Sequence, residues 1–553
     1  MEKFELVLLN AMEKVFPTKR PGDAFRLQAL SGLRGEELAL QAAFTWAADP
    51  QGKNTMDAEI RVVSPFGDVV RCRRVGYAPA LTPCVGGHDG DVLSGEPGLF
   101  PDILTDMPTG LVKLVPGQWR CVWIDVALGT GLAAGTYPLT VQLVLDGSVL
   151  EEASVTITVI AADLPAQTLI HTAWFHTDCL ADYYEVPVFS EAHWTAISQF
   201  IQTAVKRGIN MILTPIFTPP LDTAIGGERT TVQLVDVTVT NGAYAFGFEK
   251  FDRWIRLCLD MGVEYFEMAH LYSQWGAKFA PKVMGMVDGE EKRLFGWETE
   301  ATSEGYRTFL QAFLPALTDR LRALGVAERT FFHISDEPHG AEHEISYAQA
   351  AAQAAPYLEG FRIVDALSDF SFYQKGLVKK PIPANDSIEP FLAAGIEGLW
   401  TYYCVAQNNL VSNRFMAMPS ARNRIISTQL YTFDIEGFLH WGYNFYNAQR
   451  SAGHINPFMV TDADDSFSSG DSFLVYPGRG FTPVESIRLM VFFHALQDLR
   501  AMRLLEKLAG RETVLALIQE GADAPITFSR YPKDAAYIMA LREKINAAIA
   551  ARV

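Results

Sequence analysis

Cysteine is scarce and scattered in this chain of 553 residues. The six, Cys72, Cys84, Cys121, Cys179, Cys258 and Cys404, show neither CxxC nor zinc-ligand spacing. They are too sparse for a disulfide framework, and free buried thiols are expected. Positive charge is also in deficit: 46 Lys and Arg against 64 Asp and Glu leave a formal net charge of −18. So acidic a surface repels phosphates and anionic lipid heads, which argues against nucleic acid and membrane as partners. No stretch approaches the ~18 apolar residues of a membrane span. Met1-Glu2-Lys3-Phe4-Glu5-Leu6 carries acids where a signal peptide needs basic residues, so a cytoplasmic location is expected. No GxGxxG or P-loop pattern follows an early strand, no HExxH occurs, and there is no internal repeat or low-complexity linker. No cofactor and no metal are called for.

What is present is apolar material in two patterns. Hydrophobic residues make up 49% and charged residues 20%, enough for large cores in two to four ordered domains. Up to about residue 165, apolar positions alternate: Val122-Ile124-Val126, Leu139-Val141-Leu143-Leu145, Val155-Ile157-Val159. Residues spaced by two share one strand face, so these predict half-buried antiparallel strands, with a hairpin turn at Asp146-Gly147-Ser148. Beyond Leu164-Pro165 strands alternate with helices. The strands are expected at 169–175, 210–217, 263–269, 330–335, 362–367, 395–402, 437–443 and 472–476, and the clearest helices at 191–207, 303–324 and 484–508. A last helix is expected at 534–551. The fold class is α/β plus all-β. A β-sandwich at 1–164 precedes a (β/α)8 TIM-type barrel at 165–510, with a helical C-terminal extension at 511–553.

In such a barrel the chemistry sits at the C-terminal strand ends. Those ends carry His176 and Asp178, Thr218, His270, Asp336-Glu337, Asp369, Tyr402-Tyr403, Asn444 and Tyr476. One of them stands out: Phe331-Phe332-His333-Ile334-Ser335-Asp336-Glu337-Pro338 is an apolar strand ending on two adjacent acids. The bland alternative is that the acids cap the following helix. Two neighbouring acids cannot easily flank an anomeric carbon from opposite sides, as ordinary glycosidases require. They can serve one acid to a leaving oxygen and the other to the sugar's own 2-acetamido group, which then acts as nucleophile. The strand counted seventh, from Gly437 to Tyr446, ends without a carboxylate, and Glu436 sits at its start. Trp400, Tyr402 and Cys404 share one strand face by period two, and Trp441 lies near the next strand end. These aromatics suit stacking on sugar C–H surfaces, with core packing the alternative for Trp400. His171, His176, His270, His333 and His440 are spread over several strands. His339 and His343, beside Glu342 and Glu344, suit a helix surface, with a metal site the lesser alternative.

Taken together, Ser335-Asp336-Glu337-Pro338, Leu399-Trp400-Thr401-Tyr402-Tyr403-Cys404, His440-Trp441-Gly442-Tyr443-Asn444 and the run from Gly470 to Gly478 resemble glycoside hydrolase family 123. Phe100-Pro101-Asp102-Ile103-Leu104, Trp123-Ile124-Asp125-Val126 and Gly135-Thr136-Tyr137 extend the resemblance to the N-terminal part. The resemblance implies a retaining exo-glycosidase acting on terminal β-linked N-acetylhexosamine, foremost N-acetylgalactosamine, on an oligosaccharide or glycoconjugate. It implies Glu337 as general acid/base and Asp336 as the residue that orients the acetamide. Tyr402, Trp400, Trp441, Asn444, His270 and Tyr476 are the expected substrate-binding residues. Asp336 is expected to raise the pKa of Glu337. Met490 departs from the pattern, standing where an acid is usual. Two alternatives stay open: a glycosidase for a non-acetylated sugar using another carboxylate pair, and a catalytically silent carbohydrate-binding barrel.

Overall fold

The computed structural model describes residues 4–47 and 55–553. The alternating N-terminal part builds two sheets. One runs in the order Phe4–Asn10, Glu37–Trp46, Arg120–Ala127, Val70–Ala80, Gly98–Asp106, and ends on two later strands, Pro483–Ser486 and Val475–Pro477. The other runs Ala29–Arg34, Ser148–Asp163, Gly135–Leu145, Met56–Val63, Leu111–Leu114. Both sheets contribute to one apolar core that includes Leu40, Trp46, Ile124, Val141 and Ile157. Asp146 and Gly147, both left-handed at φ 49° and 78°, turn the expected hairpin. Arg120–Ala127 departs from expectation, because it is buried on both faces rather than one. The helix Ile487–Ala509 covers its second face, where Ile487, Met490 and Val491 pack against Trp123 and Cys121. Met490 is therefore a contact between the helix and this sheet.

Seven of the expected later strands form one sheet. Its order is Arg362–Ile363, Thr330–Phe332, Tyr265–Met268, Met211–Thr214, Ile170–Ala173, Gly437–His440, Trp400–Tyr402, with every pair parallel. The eighth expectation, 472–476, needs correction. Val475–Pro477 pairs antiparallel with Pro483–Ser486, which pairs in turn with Gly98–Asp106 of the N-terminal sheet. An apolar run states that a strand is buried and leaves its partner open. Pro381–Ile382, which no pattern announces, pairs in parallel with Asp365–Ala366, and Ala384 bridges to Tyr402. Helices lie between these strands, among them Glu191–Lys206, capped by Ser190 Oγ accepting from His193 N–H, and Glu304–Ala323. The C-terminal helix Ala535–Ala550 lies against Ala29–Arg34 and Ser148–Asp163, and its Arg542 pairs with Asp498 (2.9 Å) and Glu36.

Buried ions cross the seam between the N-terminal sheets and the parallel sheet. Glu485 receives Arg73 (2.6 Å) and Arg207, while Arg73 also holds Asp125 (2.7 Å) and Arg207 holds Glu37 (2.6 Å). Burial alone would favour a neutral Glu485. The guanidinium groups of Arg207 and Arg73 prevail and hold its pKa down at about 2. A depressed carboxyl pKa contributes stability above the unfolded value and loses it as pH falls. Glu485→Gln removes the anion that Arg73 and Arg207 share, leaving them one carboxylate each in Asp125 and Glu37, and should cost about 3 kcal/mol. In urea titrations the difference from wild type should be full at pH 7 and shrink between about pH 4.5 and pH 2. A difference that does not change over that window would contradict the assignment.

Candidate active site

The acidic pair follows the strand Thr330–Phe332. The next helix, Gly340–Ala354, has His339 at its N-cap, so neither acid caps it. Three backbone bonds shape the turn. Trp275 N–H donates to the Asp336 carbonyl (2.8 Å), Glu337 N–H to the Ala366 carbonyl (3.1 Å), and Gly340 N–H to Asp369 Oδ2 (3.0 Å). Glu337 sits in left-handed backbone at φ 44°.

Both acids open into a cavity of about 260 Å³. Trp174, Leu221, Leu439, Trp441 and Phe467 supply apolar wall, and Tyr402, Gln274, Trp275, Asp222 and Arg450 are among the other lining residues. Asp222, Trp275, Glu337 and Arg450 all have positive φ (39°, 57°, 44° and 57°). Left-handed backbone costs a non-glycine residue about 1–3 kcal/mol and gathers at functional sites. Tyr402 donates its hydroxyl hydrogen to Glu337 Oε1 (2.5 Å). Trp441 is held by its indole N–H on Asp471 Oδ2 (2.8 Å). A second cavity of about 470 Å³ adjoins the first, sharing Gln274, Trp275 and Arg450 and lined further by Phe279 and Trp297.

Behind the pair lies a wholly buried group of charges. His333 Nε2 is 2.6 Å from Glu267 Oε1, and its Nδ1 is 3.3 Å from Asp365 Oδ1. Burial alone would keep this imidazole neutral. The neighbouring carboxylates of Asp365 and Glu267 overcome it and carry the pKa to about 10, so His333 is a cation at neutral pH. Glu267 also accepts from Thr172 Oγ1 (2.6 Å) and from the Trp174 indole N–H (2.9 Å), which sets that wall of the cavity. The carboxyl of Asp336 is driven well upward. Burial contributes most, the charge of Glu337 adds to it, and His333 opposes both.

Of the residues expected to bind substrate, Tyr402 and Trp441 line the cavity with the acidic pair. Trp400, Asn444, His270 and Tyr476 do not. Trp400 lies at the opposite end of its strand, with its indole N–H on Glu436 Oε2 (3.0 Å) and its ring over Gly437, where a Cβ would collide with it. Asn444 is a backbone clamp, accepting from His176 N–H (2.9 Å) and donating to the His176 carbonyl (3.0 Å). His270 stacks on His333 with ring centres 4.3 Å apart and meets the edge of Trp174, one layer behind the wall. Tyr476 gives its hydroxyl hydrogen to Asp102 Oδ2 (2.6 Å) in the N-terminal sheet. His339 and His343 face each other beside the helix start, and no group of three metal-ligating side chains occurs among the described residues. Trp174, Asp222, Gln274, Trp275 and Arg450 escaped the sequence reading. Only Trp174, near the end of an expected strand, carried a signal that could have found it.

The family model for the catalytic domain of glycoside hydrolase 123 matches residues 174–505, which includes the strand-end acids and every cavity residue. The chain belongs to glycoside hydrolase family 123. A family 123 glycoside hydrolase from Clostridium perfringens, studied for its hydrolysis of glycolipid glycans, has a similar fold. Its TM-score is 0.73 at 16% identity, covering 99% of this chain and 98% of that one. A Bacteroides ovatus family 5 xyloglucanase (TM-score 0.30, 9% identity, 89% of this chain and 100% of that one) is too distant to carry an argument. So is a family 2 member from Bacteroides cellulosilyticus (TM-score 0.27, 8% identity, 82% and 47%). No curated protein matches the sequence.

For this family 123 hydrolase the raised pKa of Asp336 has a consequence for stability. The unfolded chain releases that proton near 3.8, and the folded chain keeps it. Stability therefore falls as pH rises above 3.8, until the folded carboxyl ionises. Asp336→Asn removes this opposition to folding. Its melting temperature should exceed that of wild type, by more at pH 8 than at pH 4. A variant that melts below wild type at pH 8 would refute the shift.

Proposed function

We propose that the enzyme removes terminal β-linked N-acetylhexosamine, foremost N-acetylgalactosamine, from a glycan or glycoconjugate with retention of configuration, using the substrate's acetamide as nucleophile. The observation that carries this is the entry of two adjacent acids into one cavity from a single strand end. Tyr402 holds Oε1 of Glu337, which leaves Oε2 to carry the proton. Glu337 gives that proton to the glycosidic oxygen as the C1–O bond breaks. The acetamide oxygen bonds to C1 from the other face, and Asp336 accepts the amide N–H as positive charge develops on the oxazolinium ion. Water then attacks C1, loses its proton to Glu337, and reopens the ring with the β configuration restored. Trp174 and Trp441 offer apolar faces for the sugar ring, and the adjoining cavity offers room for the leaving group. Neither Trp400–Tyr402 nor Gly437–His440 ends on a carboxylate, which favours substrate assistance over an enzyme nucleophile.

The proposed frame is a (β/α)8 barrel at 165–510, with Pro381–Ile382 as the stave between Asp365–Ala366 and Trp400–Tyr402. A β-sandwich at 1–164 and a helical extension at 511–553 complete the proposed division. Six free thiols favour a reducing compartment such as the cytoplasm. No helix among the described residues is long and apolar enough to cross a membrane.

A second reading draws on Asp222, the third carboxylate in the cavity, which could attack C1 of a non-acetylated sugar. A panel of aryl glycosides separates the two readings: N-acetylhexosaminides should be hydrolysed and plain hexosides spared. Replacing the acetamide with its trifluoro form weakens the nucleophile and should slow turnover steeply. A flat response, or a covalent adduct trapped on Asp222 or any other carboxylate, would overturn substrate assistance.

General acid catalysis contributes about 10²–10⁴-fold. Glu337→Gln should lose about that much on substrates with poor leaving groups and far less on those with good ones. Steady-state kinetics across a leaving-group series checks this, and equal losses throughout would contradict the role.

A further inference from the structure

Asp222 has no part in the proposed chemistry, yet its surroundings hold it firmly. Its N–H donates to Gln274 Oε1 (2.5 Å), its carbonyl accepts from Ser451 Oγ (2.7 Å), and its Oδ2 accepts Arg450 N–H (2.9 Å). Its Oδ1 takes no hydrogen bond from the described residues. Both sides of the contact use left-handed backbone, Asp222 at φ 39° and the neighbours Arg450 and Ser451 at 57° and 54°. Two loops far apart in sequence are thus locked together with one carboxylate oxygen left over on a residue that lines the cavity. Burial pushes this carboxyl up to about 6, which still leaves it ionised at neutral pH. Arg229 and Arg450 favour its charge against burial, and the staple itself has no need of one. An asparagine carbonyl would accept Arg450 N–H equally well without the charge. A carboxylate is the stronger acceptor for a sugar hydroxyl, since hydrogen bonds to charged groups exceed neutral ones.

We propose that Asp222 is a specificity-determining residue whose Oδ1 accepts a hydrogen bond from a ring hydroxyl of the sugar held in the cavity. This rests on the sugar being cleaved beside Asp336 and Glu337, and holds whichever sugar that is.

The test is a cycle between enzyme and substrate. kcat/KM is measured for wild type, Asp222→Asn and Asp222→Ala on the aryl β-glycoside that wild type hydrolyses best, and on its 3-, 4- and 6-deoxy analogues. Wild type should lose about 10- to 100-fold on one analogue. Asp222→Ala should lose no more than about 3-fold on that same analogue, with Asp222→Asn between the two. A mere staple would weaken every substrate by one common factor. Equal deoxy penalties in wild type and Asp222→Ala would therefore overturn the proposal, as would a covalent sugar adduct on Asp222. If Asp222→Ala does not fold, Asp222→Asn decides alone: an undiminished penalty on all three analogues overturns the proposal. Which parent glycoside wild type prefers tests the N-acetylhexosamine reading separately.

Discussion

One buried imidazolium allows four carboxyl groups to stand around a single strand end. Glu267 and Asp365 are wholly buried, Asp336 and Glu337 stand half-buried at the cavity, and each buried anion costs several kcal/mol unless it is paired. His333 lies between the first two and carries their compensating charge. Those two carboxylates do more than balance it. Asp365 Oδ1 accepts the N–H of Ile334 (3.0 Å) and of Ser335 (3.3 Å), so the group beside His333 also directs the chain that leads to Asp336. Glu267 orients Trp174. The position of the acids and one wall of the cavity thus descend from the same ion cluster.

This cluster bears on the resting state of the pair. The structure raises the pKa of Asp336, mainly through burial and then through the charge of Glu337. The proposed mechanism needs the proton on Glu337 and a charge on Asp336 at the moment of bond cleavage. An acetamide N–H delivered to Asp336 favours its ionised form. Sugar binding would then move the proton held by the pair toward Glu337, where the leaving oxygen needs it. A substrate without the acetamide would leave that proton on Asp336, so discrimination would begin before any bond breaks.

Much of this was legible in the sequence, for stated physical reasons. Period-two apolar runs and an acid pair at a strand end survive any change of tertiary context, so the pair, Tyr402 and Trp441 could be located. Partner choice left no such trace. The run ending at Tyr476 has the composition of a barrel strand, yet it pairs with the N-terminal sheet. Pro381–Ile382 is too short for any period to register. Trp400 has the right residue type and the right face, but it stands one turn of pleat from the strand's other end and serves the core. Asp222, Trp275 and Arg450 come from loops, where position depends on left-handed backbone at residues that do not advertise it.

The misplaced strand also explains why the N-terminal sheets belong to the site. Val475–Pro477 enters their edge directly after Asp471, whose carboxylate holds the Trp441 indole. Arg488 secures this connection: it donates to the Phe473 carbonyl (2.8 Å) and pairs with both oxygens of Asp102 (3.0 Å each). Asp102 in turn accepts from Tyr476 (2.6 Å). The orientation of a cavity tryptophan is therefore referred, through one aspartate and a short strand, to a sheet built from the first part of the chain. A segment paired inside the parallel sheet would have fixed Trp441 only to its immediate neighbours. Pairing it across the seam makes the cavity wall depend on the docking of the N-terminal sheets, which the ion pairs of Glu485 and Arg207 hold in place.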